Sequence, residues 1–168
     1  VQHLDPAMNV THPSSSEELA HPSAISREHV LQRLLDWRDR VHRLYDTIEQ
    51  KLRGTRFQAN REGKHTSAEE LPQRVGILQA ELPQIDILRI VRPDNSNAAV
   101  LYPRGLWIIG ANGRIDLRIT PSVGGTETHM LVDVSEPLAG QAQWIRMPIG
   151  SPFEREPFDP CWLISKLL

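Results

Sequence analysis

The amino-acid sequence predicts an α+β protein in which one long N-terminal amphipathic helix packs on a mostly antiparallel meander sheet of about six strands. Three observations favour this fold class. Apolar residues recur at helical spacing from Val30 to Ile48, the apolar pattern alternates in strand fashion after Pro83, and clusters of turn-forming residues separate the alternating runs. The sheet is expected to be a curved sheet, a small barrel or a sandwich.

The helix signal covers residues 26–54. Ser26 has the position of an N-cap, Glu28 lies in the first turn where the helix dipole favours an acid, and Gly54 ends the pattern. The apolar positions form a heptad seam. Its residues are Val30, Leu34, Trp37, Val41, Leu44 and Ile48. This seam has two interpretations: it packs on the chain's own sheet, or part of it pairs with a partner helix in a hairpin or a homodimer.

The rest of the chain divides into an N-terminal arm and three further segments. Residues 1–25 have no apolar period and predict a flexible arm, in which residues 1–7 are interpreted as a remnant ahead of a native start at Met8. The further segments are a basic and polar connector with a short helix, an antiparallel β domain, and a Pro-rich C-terminal arm with an apolar end, at residues 55–84, 85–150 and 151–168.

Alternating or continuous apolar runs define the predicted strands of the β domain. They lie at residues 85–91, 98–102, 106–109, 115–119, 129–134 and 143–149. The run Leu106–Ile109 is nearly continuously apolar and is therefore expected near the centre of the sheet. Asn112-Gly113 predicts a hairpin turn, since both residue types adopt positive φ readily. The apolar residues from Cys161 onward predict a short terminal strand or helix.

Charge and cysteine content argue against several function classes. The net charge is −2 and is spread evenly over both halves of the chain, so no basic domain indicates nucleic acid. Only Lys51, Lys64 and Lys166 are lysines, which limits lysine-dependent catalysis. Cys161 is the single cysteine, so an internal disulfide and a thiolate zinc site are excluded, and a reducing cytoplasm is the expected location.

Membrane insertion, metal binding and cofactor binding are not predicted either. No run approaches the roughly 20 apolar residues of a membrane span. No two of the seven histidines lie three or four residues apart, so none forms a helical metal-binding pair. Glycine-rich nucleotide loops and the Gly-x-Ser-x-Gly nucleophile motif are absent from the sequence.

Two aspartates on neighbouring predicted strands form a nuclease-like pattern. Asp116 lies in Gly113–Leu117 and Asp133 in Leu131–Ser135. This spacing resembles the core of the PD-(D/E)xK nucleases, in which strand carboxylates hold Mg²⁺ and a lysine orients the attacking water. The resemblance implies a divergent metal-dependent nuclease with both aspartates as catalytic acids, but Ser135 stands where the family has its lysine. That departure favours the competing interpretation, in which both aspartates face solvent on a hairpin.

A basic cluster after the helix offers a second route to nucleic acid. Five cations face one acid in this stretch, so the local net charge is +4. The cations are Lys51, Arg53, Arg56, Arg61 and Lys64. They are interpreted either as phosphate contacts or as a solvated loop at a helix C-terminus, where the dipole favours cations in any case.

The patterns together favour a non-catalytic protein-interaction or assembly module. The helix seam would join a partner protein or a second copy of the chain. The C-terminal arm would contribute Phe153 and Phe158, which repeat a Pro-Phe-acid unit, and the nearby Trp162. The alternative is a nucleic-acid-binding or nuclease-like domain that uses the basic cluster or the two aspartates.

Overall fold

Residues 25–65, 69–151 and 153–168 are described by the structure, a computed structural model in which Lys64 and His65 are described by their backbone alone. The elements in chain order are α1 (Arg27–Leu52), β1 (Gln58–His65), α2 (Glu70–Arg74), a 3₁₀ turn (Gln79–Glu81), β2 (Ile85–Val91), β3 (Asn97–Gly105), β4 (Arg114–Ile119), β5 (Glu127–Asp133), β6 (Trp144–Pro148), β7 (Glu156–Pro157) and α3 (Pro160–Leu167). The predicted α+β class is confirmed. The predicted N-terminal arm, with its remnant and Met8, falls on residues 1–24, outside the described residues. Among the described helices, none combines the length and the apolarity needed to cross a membrane.

Helix α1 begins after Ser26, as predicted. The Ser26 hydroxyl oxygen accepts a hydrogen bond from the backbone N–H of His29 at 3.1 Å, which satisfies a donor that the first helical turn leaves unpaired. The helix ends at Leu52, and Gly54 reverses the chain with a φ of +82°. The apolar stripe of the helix faces the sheet, and both sides of that contact form one hydrophobic core.

The sheet is an open antiparallel meander in which each of the seven strands found in the described residues pairs with the next. Strand β4 defines its two faces. Ile115, Leu117 and Ile119 are at most 1% exposed, and the polar residues between them point to the other side. The face that carries these three residues and packs against α1 is here called the inner face, and the opposite face is called the outer face.

The C-terminal apolar segment forms a helix. Asp159 caps α3 by accepting a hydrogen bond from the backbone N–H of Cys161 at 2.8 Å, and Pro160 occupies the first turn, where its missing N–H is not needed. Trp162 packs edge-on against His129 of β5, with ring centroids 5.2 Å apart. Helix α3 therefore covers the inner face beside α1.

The apolar run Leu106–Ile109 is not a strand, which corrects the prediction made for it. Strand β3 continues to Gly105 and pairs directly with β4. The chain then leaves the sheet in a loop over residues 106–113, in which Leu106 is buried in the core and Ile109 is fully exposed. A short apolar run has too few residues for its hydrophobic periodicity to distinguish a strand from a loop that is anchored by one buried residue.

Strand β1 lies in the segment for which the sequence predicts a polar connector. It forms an edge of the sheet, where charged side chains are common because one side faces solvent. Arg61 on this strand donates a hydrogen bond from Nε to Oε1 of Glu49 at 2.8 Å and also pairs with Asp46, both on α1. Ion pairs thus attach this strand to the helix. Because charged residues make these contacts, the strand has no alternating apolar pattern in the sequence.

Gly113 lies directly under Trp37, so we expect Gly113→Ala to lower the free energy of unfolding by about 2–5 kcal/mol. A Cβ there would lie 2.0 Å from Cζ3 of Trp37, and φ is +128°. Urea denaturation of both proteins measures the loss. Gly110→Ala is the matched control, because it has a φ of +76° with no neighbouring atom within 4 Å and should lose only about 1–2 kcal/mol. Equal losses in the two variants would contradict the packing argument.

Candidate functional site

The two nuclease-like aspartates point to opposite faces of the sheet. Asp116 pairs in register with Met130 on the outer face, and Asp133 lies three residues beyond Met130, so its side chain belongs to the inner face. The two carboxylates therefore do not meet at one metal ion. Across the parts of the chain that the structure describes, no group of three or more His, Cys, Asp or Glu side chains could hold a metal ion.

Asp133 is a buried structural acceptor rather than the solvent-facing residue that the hairpin interpretation predicts. Its side chain is 0% exposed and forms an ion pair with Arg40 of α1. Its Oδ1 accepts hydrogen bonds from the backbone N–H groups of Ser135 and Gln143, each at 2.9 Å. These bonds close the loop between β5 and β6 around the carboxylate.

Arg40 connects this carboxylate to the helix. Its guanidinium also donates to Oδ2 of Asp36 and to the backbone carbonyl of Asn112, each at 2.9 Å. Burial lowers the pKa of Arg40, and the neighbouring Asp36 carboxylate acts in the opposite direction. A guanidinium is not deprotonated in proteins, so Arg40 keeps its positive charge here. The network is a cross-link between α1, β5 and the loop before β4.

The helix seam packs on the chain's own sheet, the first of its two predicted roles. All six residues are 0–6% exposed: Val30, Leu34, Trp37, Val41, Leu44 and Ile48. Trp37 packs against Trp144 of β6, with ring centroids 5.8 Å apart. A partner helix therefore finds no free apolar surface on these six residues.

The three aromatic residues predicted in the C-terminal arm have different environments. Phe153 is 96% exposed. Phe158 and Trp162 are half-buried and pack edge-on, with ring centroids 6.3 Å apart. The Arg146 guanidinium lies 3.8 Å from the centre of the Trp162 ring, a cation–π contact. Only Phe153 of the three is thus open to a partner.

The basic cluster after α1 is partly neutralised by the helix. Lys51, Arg53 and Arg56 are exposed, and the Lys64 side chain lies outside the described residues. Arg61 is bound by two acids of α1, and its hydrogen bond to Glu49 is the main cause of its raised pKa. The structure therefore assigns Arg61 to the attachment of β1 rather than to a phosphate contact.

The outer face of the sheet carries a cationic groove that sequence reasoning missed. It has a volume of about 910 Å³ and is lined by arginines from β2, β3 and β4 and by hydroxyl side chains. We call it the arginine groove. Its charged residues are Arg89, Arg92, Arg104, Arg118 and Asp116, a net charge of +3. Glu62 of β1 also pairs with Arg89 from outside the groove, so an excess of two positive charges remains.

The groove arginines differ in how strongly they are engaged. Arg104 donates to Asp116 at 2.6 Å and lies 4.7 Å from the centre of the Tyr102 ring. Arg89 pairs with Glu62 of β1 at 2.8 Å. Arg118 is exposed, and its side chain makes no hydrogen bond or ion pair within the described part of the chain. Its guanidinium is open to an anion.

An apolar trough adjoins the arginine groove on the same face. It has a volume of about 400 Å³, and the loop before β4 forms one wall. Its apolar side chains are Ile108, Ile109, Met130, Val132, Ile145 and Met147. Arg114 and Arg155 also line it, so its rim is basic. The outer face thus presents cationic and apolar surfaces side by side.

Removing one partner of the Arg40–Asp133 pair is expected to destabilise the fold. Asp133→Asn should cost about 3–5 kcal/mol, because it leaves a buried guanidinium with less compensating charge. The double variant Arg40→Met with Asp133→Asn should lose less than the sum of the two single losses. Chemical denaturation of all four proteins measures this coupling. Additive losses would show that the pair does not act as a unit.

Comparisons with known proteins do not indicate a function, so a proposal has to start from the arginine groove and the apolar trough. No protein-family model, no curated protein and no solved structure matches this chain. The chemistry of the outer face, with its excess of arginines over acids and the unpaired Arg118 beside an apolar trough, is therefore the observation on which a proposed function is based.

Proposed function

We propose that this protein is a non-catalytic interaction module that binds a protein partner on the outer face of its sheet. The observation that carries the proposal is the apolar trough beside the arginine groove. Helices α1 and α3 cover the inner face, and most of their large apolar side chains lie in the core. Ile109 in the trough wall remains fully exposed to solvent. Exposed apolar surface rimmed by polar groups is typical of protein–protein interaction sites.

The titratable groups of the outer face support binding rather than catalysis. Asp116 is the one carboxylate that lines the grooves among the described residues. It accepts hydrogen bonds from Arg104 at 2.6 Å and from Arg114 at 2.8 Å. This arrangement orients two guanidiniums toward the surface, which suits recognition of a carboxylate or phosphate.

The proposal places the interaction surface away from the helix seam. A homo-oligomer is compatible with the proposal, provided that the second copy binds the outer face. The protein is also proposed to act in the cytoplasm, because its single cysteine, Cys161, is exposed and unpaired.

Nucleic-acid binding is the second candidate function. Tyr102 in the arginine groove favours it, since single-stranded nucleic acid binds where basic side chains contact phosphates and aromatic rings stack on bases. The apolar trough argues for the protein partner instead. Bases and phosphates would leave the fully exposed side chain of Ile109 without an apolar contact.

Selection of peptides from a random display library against the folded protein tests the proposed function. We expect enriched peptides whose affinity falls about tenfold or more in Arg118→Glu or Ile109→Ser and is unchanged in Arg53→Glu, a control on the exposed end of α1. Biolayer interferometry measures these affinities. Binding that is unaffected by both outer-face variants would contradict the proposal, as would selective binding of short single-stranded oligonucleotides.

A further inference from the structure

From the chemistry of the outer face we infer that its partner is an acidic amphipathic helix. The helix lays its carboxylates in the arginine groove and its apolar side chains in the trough. This inference rests on the proposed function and specifies the partner. It follows from the charge of the outer face, from the strand register that places the arginine groove beside the apolar trough, and from the width of the sheet.

The charge of the two grooves selects an acidic partner. Six arginines and Asp116 line them, a net charge of +5 that the Glu62 carboxylate paired with Arg89 reduces to +4, whereas the whole chain carries −2. The arginines are Arg89, Arg92, Arg104, Arg114, Arg118 and Arg155. Arginine donates in a planar fork that matches a carboxylate. A partner with acidic side chains meets a complementary potential here and is repelled from the acidic remainder of the chain.

The register of β4 and β5 makes the partner amphipathic. Arg114 is the cross-strand neighbour of Val132, and Asp116 is the neighbour of Met130. Side chains in such pairs lie about 5 Å apart, so Arg114, and the Asp116 carboxylate with the Arg104 that it binds, adjoin the apolar surface along this line. A single bound segment must therefore carry carboxylates and apolar side chains that lie about as close together as the side chains of these cross-strand pairs. Residues three or four apart on a helix have a separation of about 5–6 Å.

The width of the outer face favours a helix over an extended strand. The face spans the five strands from β2 to β6, which corresponds to about 19 Å at the usual strand spacing. A helix with its side chains is about 10–12 Å wide and reaches both the arginine groove and the trough. An extended peptide lying along the strands would contact one of them and leave the other open.

Two features keep the face available to such a helix. Arg118 makes no ion pair within the described residues, so binding a carboxylate breaks no existing bond there. Ile109 is fully exposed at the end of the trough, where it can cover an apolar side chain of the partner. Each feature belongs to one groove, which allows the two halves of the site to be tested separately.

Fluorescence anisotropy with labelled designed peptides and the full chain tests the inference. The first peptide is helix-forming, with glutamates beside an apolar stripe. The second has the same composition in scrambled order, and the third has glutamine in place of glutamate. We expect the first to bind at least about tenfold more tightly than either of the others, with an affinity that falls as salt is raised.

Variants of the protein assign the binding to the two grooves. Arg118→Glu should lower the affinity for the first peptide about tenfold or more, and it should not change the affinity for the glutamine peptide. Ile109→Ser should lower the affinity for both of these peptides. Arg53→Glu should change neither. Arg118→Ala replaces Arg118→Glu if thermal denaturation shows that the glutamate variant is unfolded.

Several results would overturn the inference. They are equal binding of the ordered and scrambled peptides, equal binding of the acidic and neutral peptides, and an affinity unchanged by the Arg118 variants. Concentration-dependent dimerisation that Arg118→Glu abolishes would identify a second copy as the occupant, and preferential binding of single-stranded RNA would identify a nucleic acid. Library peptides that bind the outer face without acidic residues would overturn this inference and preserve the proposed function. Absence of any peptide binding would overturn both.

Discussion

The buried ion pair between Arg40 and Asp133 holds the helix, the sheet and two loops in one arrangement. Both side chains are at most 1% exposed, and Arg40 reaches from the middle of α1 to the end of β5. Removing two charges from water is costly unless the remaining donors and acceptors are satisfied. Backbone groups of Asn112, Ser135 and Gln143 satisfy Nη1 of Arg40 and Oδ1 of Asp133, so the loop backbones must close around the pair, while Nη2 of Arg40 has no hydrogen-bond partner among the described residues. The same requirement sets where α1 lies along the sheet.

This inner-face network also shapes the outer face. The backbone N–H of Asn112 donates to the carbonyl of Asp133, and the N–H of Asp133 donates to the carbonyl of Gly113 at 3.0 Å. The loop that these bonds anchor continues into Ile108 and Ile109, which wall the apolar trough. Rigid placement of the trough therefore depends on the buried pair, although the two lie on opposite sides of the sheet. Recognition surfaces bind more tightly when they are ordered in advance in this way.

Much of the fold was predictable from local patterns, whereas the site was not. The Ser26 cap and the alternation of Ile115, Leu117 and Ile119 report local physics: an N-cap bond and a sheet with one buried face. The arginine groove has no local signal, because Arg89, Arg104 and Arg118 each occupy an ordinary solvent-facing strand position. They form a site only once the register of three strands is known, and a shift of one residue would turn a strand's side chains to the other face.

By itself, the sequence determined a long capped helix, most of an antiparallel meander and the absence of a disulfide, since these depend on spacing and composition within short stretches. Tertiary structure alone decided which surface the helix seam packs on, that Asp133 lies on the inner face and Asp116 on the outer face, and that Leu106–Ile109 leaves the sheet. The physical reason is that burial and ion pairing depend on distances between residues far apart in the chain. Arg40 lies in α1 and Asp133 in β5, with four strands between them in the chain, and their contact forms only when the helix packs on the inner face.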